Sequence, residues 1–201
     1  MIRINLSDEE LTNKVLELSQ MVIASGNGNT DDGELQDVVN SKDEVIGSLP
    51  RGVIWDNGIQ GQTRVVNIFV IDKEGGVLLP VRSMEKRYLP GGYDFSCGEN
   101  LKAGETYHAA AVRGLYEELG LENNELREVG DFIPDNYIGL FCFGKVYSIE
   151  VNQRSDVAKF NTEEIERLEW KDKTEILKMI VDEPEKFKAD YKAIFDIAFG
   201  G

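Results

Sequence analysis

Apolar residues first recur at helical spacing near the start of the chain, where Leu11, Val15, Leu18 and Val22 share one face. Ser7 stands just ahead of them and Glu10 follows three residues later, the S-x-x-E order in which each side chain satisfies the other's backbone N–H. A helix beginning at Ser7 is therefore predicted. Residues 26–33 contain only turn formers and polar groups, which predicts a flexible connector. Residues 1–33 thus read as a helical appendage to one domain over residues 34–201.

Within that domain the period changes. Leu35 to Val39 and Glu44 to Ser48 flank the polar turn Asn40-Ser41-Lys42-Asp43, a short hairpin. Val65 to Ile71 is nearly all apolar, as in a strand covered on both faces, and Lys73-Glu74-Gly75-Gly76 turns it into Val77 to Val81. Thr106 to Leu119 has helical periodicity, Tyr137 to Val151 is β-branched and aromatic, and Ile165 to Trp170 predicts a further strand. Helices are expected at Thr174 to Val181 and Glu185 to Ala198, with Pro184 at the second start. This order predicts an α/β fold in which a mixed sheet is sandwiched between helices, with one extra helix at the N-terminus.

Charge narrows the function. A formal charge of −15 on 201 residues disfavours a nucleic-acid polymer, whose affinity comes from lysine and arginine displacing counterions, and equally disfavours an anionic membrane. Phosphates remain accessible to such a chain through a local basic pocket or a bound metal ion. Cys97 and Cys142 are the two cysteines, the N-terminus lacks a basic and apolar leader, and no apolar run has spanning length, so free thiols and a cytoplasmic setting are expected.

The stretch that carries chemistry runs from Leu89-Pro90-Gly91-Gly92-Tyr93-Asp94-Phe95 through Glu105 to Leu121. On a helical wheel Val112, Leu115, Tyr116 and Leu119 fall on one side, and Ala110, Gly114, Glu117 and Glu118 on the other. One face should pack while the other is acidic. Two adjacent carboxylates in a last turn oppose the helix dipole, which calls for compensation. A hard divalent cation supplies it, because Mg2+ takes a few carboxylate oxygens and keeps positions for water and phosphate oxygens. Gly120 then ends the helix at positive φ.

Glu105, Arg113, Leu115, Glu117, Glu118, Gly120 and Leu121 together resemble the box of the Nudix superfamily, G-x5-E-x7-R-E-U-x-E-E-x-G-U, where U is aliphatic. The resemblance extends from about Leu35 through Trp170 and the terminal helices, and it leans toward the isopentenyl-diphosphate isomerase-like branch. It implies hydrolysis of a small compound with a diphosphate linkage, for example to a nucleoside, with Mg2+ or Mn2+ held by Glu117 and Glu118. Two departures stand out. Gly114 replaces the first glutamate of R-E-U-x-E-E, and Gly98 lies one residue further from Glu105 than the pattern has it. Room at Gly114 admits water, substrate or a substitute carboxylate such as Glu99 or Asp94. The expectation drawn is fewer protein ligands and more metal-bound water.

The resemblance further implies Glu105 and Arg113 as a pair that orients the metal ligands, Glu163 or Glu164 as general base, and Arg82 and Lys86 as diphosphate contacts. Arg64 is a weaker basic candidate, and Arg87 reads equally as surface charge. His108, Trp55, Trp170 and Phe141 receive no role. Cys97 aligns with the isomerase's catalytic cysteine, yet one histidine in the whole chain and no acid in Tyr137 to Ser148 leave the rest of that site missing, so the thiol is expected to be inert. A phosphate-binding module that has lost catalysis at Gly114 is the rival reading. The apolar face of the first helix fits either pairing of two copies or packing on its own chain.

Overall fold

The computed structural model describes residues 6–25, 34–122, 125–157 and 159–200. Helix α1 (Asp8–Ser25) opens with the expected reciprocal cap: the Ser7 amide donates to Glu10 Oε2 at 2.8 Å, and the Glu10 amide donates to Ser7 Oγ. Its inner face does not stand free. Leu11, Val15 and Leu18 are buried against the hairpin of β1 (Leu35–Val39) and β2 (Val45–Pro50), together with Ile54 from a short helix α2 (Arg51–Asp56) and Ile59. The connector expected at residues 26–33 lies outside the described residues.

The main sheet contains β3 (Arg64–Asp72), β4 (Val77–Arg82), β5 (Cys97–Asn100), β6 (Arg127–Phe132), β7 (Phe143–Val151) and β8 (Ile165–Lys171). Strand order is β6-β7-β3-β4-β8, and β5 joins the half of β3 that β4 leaves open. The β3–β7 pair is parallel and the others antiparallel, so the sheet is mixed. Alternation on β3 divides two cores. Val66, Ile68 and Val70 face helix α3 (Tyr107–Leu119), whereas Phe69 faces α4 (Lys173–Asp182) and α5 (Tyr191–Phe199). Each large side chain so buried contributes roughly 1.5–3 kcal/mol, and both faces of β3 collect it. That is why its sequence reads as a continuous apolar run.

Three sequence expectations change. The strand expected from Tyr137 begins only at Phe143, since Asp135 and Leu140 bridge across a turn around Gly139 first. The helix expected over Glu185 to Ala198 starts at Tyr191, because Phe187 is extended, bridges to Tyr93 and stacks on its ring at 5.1 Å. On α3, Leu115 and Leu119 are buried and Glu117 is exposed as the wheel has it, but Ala110 and Gly114 are buried too and Tyr116 is exposed, because β5 crosses the side that holds the glycine. Strands β5 and β6 and helix α2 have too little apolar periodicity to be read from sequence.

Candidate active site

Helix α3 is held at both ends by its own sequence. Thr106 Oγ1 accepts from the Ala109 amide, and Gly120 adopts φ +64°, with its N–H bonded back to Tyr116 O. Just beyond, the Asn161 amide donates to Glu118 O at 2.8 Å, docking the loop ahead of β8 on the helix end. The Ser83 amide donates to Glu164 O, tying the same loop to the end of β4.

Arg113 organises the helix face. Its Nε and Nη2 donate to the two oxygens of Glu105 at 2.8 and 3.0 Å, its Nη2 also reaches Asn100 O, and its Nη1 is shared between Glu99 Oε2 at 3.0 Å and Glu117 Oε2 at 3.1 Å. These five contacts match the five N–H groups of a guanidinium. Glu105 responds as an acid beside a cation should: the Arg113 hydrogen bond pulls its carboxyl below the usual range.

Glu118 sits differently from its neighbour. Glu117 is exposed beside Arg113, whereas burial pushes the Glu118 carboxyl well above the ordinary range, and Glu99, Asp94 and Glu164 push it in the same direction. Lys188 is the cation that acts against them. Burial also raises Glu99, against the pull of Arg113. Carboxylates from β5, the loop before it, α3 and the loop before β8 therefore act on one another, although Arg113 pairs with Glu99, Arg82 and Lys188 with Asp94, and Lys86 with Glu164. Such a cluster fits the hard-cation ligand type expected from the sequence. Among the described residues no group of three or more His, Cys, Asp or Glu is placed so that it could hold a metal ion by itself.

The room that Gly114 leaves is taken by a side chain. A Cβ there would lie 2.4 Å from Glu99 Cγ and 2.9 Å from Cys97 Sγ. Cys97 is buried, and burial with the charges of Glu118, Glu99 and Asp94 lifts its thiol well above the ordinary value.

The basic residues are already engaged. Arg82 donates through Nε and Nη2 to Tyr88 O and through Nη1 to Asp94, so it anchors the 83–92 loop. Lys86 pairs with Glu164. Arg64 lies elsewhere, bonded to Asp43 at 2.6 Å and placed over the Tyr107 ring, and is not brought to this cluster. Glu163 is exposed and does not figure among the charges acting on Glu118, unlike Glu164. Sequence reasoning missed Lys188, whose Nζ lies 2.6 Å from Asp94 Oδ1. No local signal marks it, because it arrives through the break between Pro184 and Tyr191. His108 lies edge-on to Tyr147 at 6.4 Å, in no cluster of ligands.

A mixed sheet between helices, with an arginine-organised acidic helix opening onto a carboxylate cluster, is the architecture of a Nudix domain. The family model for that domain matches residues 61–191, and the chain belongs to the Nudix family. It is 36% identical over 152 residues to an uncharacterised Nudix hydrolase of Nostoc sp., covering 72% of this chain and 89% of that one. It is 35% identical over 143 residues to a Nudix hydrolase of Deinococcus radiodurans, covering 68% and 78%. An isopentenyl-diphosphate Δ-isomerase of Photorhabdus laumondii is 27% identical over 168 residues, covering 81% and 91%, in keeping with the lean of the sequence. A crystal structure from D. radiodurans superposes with a TM-score of 0.73 at 30% identity, covering 83% of this chain and 99% of its own. No helix among the described residues is long and apolar enough to cross a membrane.

Proposed function

We propose that this chain is a divalent-metal-dependent hydrolase of a small compound carrying a diphosphate linkage, such as a nucleoside diphosphate derivative. The observation that carries the reading is the convergence of Glu118, Glu99, Asp94 and Glu164 beside Lys86 and Lys188 at the end of the box helix. Buried carboxylates set against one another are costly unless a cation joins them.

Glu117 and Glu118 would hold Mg2+ or Mn2+. When bound, the ion would polarise the phosphate oxygens and ease deprotonation of an attacking water. Glu164 accepts that proton at its carboxylate, positioned by the Lys86 ion pair and by the Asn161 amide that docks its loop. Lys188 and Lys86 offer charge to the substrate phosphates, and Arg82 keeps the loop between them in place. Arg113 and Glu105 fix the direction from which Glu117 acts. Most of the catalytic effect would come from such fixed charge and positioning.

The site does not favour the isomerase reading that such relatives raise, since Cys97 is held as a buried thiol and His108 stands apart. The deciding experiment supplies Mg2+ or Mn2+ with nucleoside di- and triphosphates, sugar nucleotides and dinucleotides, and identifies products formed in 18O-labelled water. Release of phosphorylated product carrying the label supports hydrolysis at phosphorus. Folded protein that binds these compounds yet turns over none would favour the phosphate-binding module instead.

A further inference from the structure

Gly114 and Glu99 occupy one space. The helix position at which the Nudix pattern carries a glutamate has no side chain here, and the Cγ of a strand glutamate lies 2.4 Å from where the missing Cβ would stand. The two residues come from different elements, α3 and β5, so the fit is a property of the packing and not of local sequence. A second relationship points the same way. Arg113 Nη1 joins Glu99 Oε2 to Glu117 Oε2, setting the two carboxylates side by side.

We infer that Glu99 takes over the metal-ligating task of the absent box glutamate, entering from β5 through the gap that Gly114 leaves, so that glycine at 114 is required for metal binding. The inference rests on the metal-dependent reading above. It gives the glycine a reason beyond close packing: a helix-interior glycine is unfavourable relative to alanine, and here it keeps a carboxylate in place. It also replaces the expected water-rich coordination with a protein oxygen delivered by another route.

The test is Mn2+ affinity, read by the electron paramagnetic resonance of free Mn2+ and by calorimetry, on folded wild-type, Glu99→Gln, Gly114→Ala and the double variant. Glutamine keeps an oxygen for Arg113 but loses charge, so Glu99→Gln is expected to weaken Mn2+ binding by at least about tenfold, the scale on which even supporting groups act. Gly114→Ala displaces Glu99 and should weaken it comparably, while the double variant should be no weaker than either single one. Undiminished Mn2+ affinity in folded Glu99→Gln, with Glu118→Gln impaired, would reduce Glu99 to a partner of Arg113 and overturn the inference alone. Wild-type protein that takes up no Mn2+ would overturn the metal-dependent reading with it. Should Gly114→Ala fail to fold, Glu99→Gln decides the matter by itself.

Discussion

Arg113 and Glu105 face each other in a two-pronged ion pair, Nε to Oε1 at 2.8 Å and Nη2 to Oε2 at 3.0 Å, which clamps the loop before α3 to the middle of the helix. A lysine carries a point charge on a flexible stem and cannot reproduce that fork while also reaching Glu99 and Glu117. Arg113→Lys should therefore destabilise the fold by about 1–3 kcal/mol, the range for stranding partly buried polar partners. Urea unfolding checks this, and an unchanged midpoint would mean the pair is dispensable.

The pH dependence of the metal-free protein should carry the mark of Glu118. Its folded carboxyl lies well above the ordinary 4.5, so folding takes up a proton that the unfolded chain has released. By linkage, the stability this provides is present below pH 4.5 and is lost as pH rises through the folded value. Glu118→Gln cannot lose that proton. In chelator its unfolding temperature should exceed that of wild type at neutral pH by at least about 2–4 °C, the rise that accompanies about 1 kcal/mol in a chain of this size, and should converge with it toward acid. Saturating Mn2+ should reverse the order, because only the carboxylate gains from the cation.

Glu164 and Glu163 separate cleanly in space, one paired with Lys86 and acting on Glu118, the other exposed. Glu164→Gln is expected to lower kcat by about 10²–10⁴, the usual contribution of a general base. Glu163→Gln should stay within about twofold of wild type, being without such a task. Equal effects at the two positions would remove Glu164 from the role.

Helix α3 ends because Gly120 turns left-handed at φ +64°. Gly120→Ala should cost about 1–2 kcal/mol from the Cβ clash in that conformation. Since Asn161 bonds to the helix end at Glu118 O, the same change should also loosen the 160–164 loop, seen as faster amide hydrogen exchange there.

Much of this protein is written in short stretches. The capped first helix, the hairpin around Asn40, the buried strand β3 and the box helix with Glu105, Arg113, Glu117, Glu118 and Gly120 all follow from spacing, because caps, turns and helical faces are set by neighbours a few residues apart. Contacts between distant segments decided the rest. Ala110 and Gly114, on the α3 face that reads as open, became buried once β5 crossed there, Glu99 filled the gap from a strand with no periodicity of its own, and Phe187, by pairing with Tyr93, broke a helix and brought Lys188 to Asp94. Local sequence limits the backbone and names the reactive groups; which carboxylates and cations come together depends on burial and pairing over long separations, and only the folded chain supplies those.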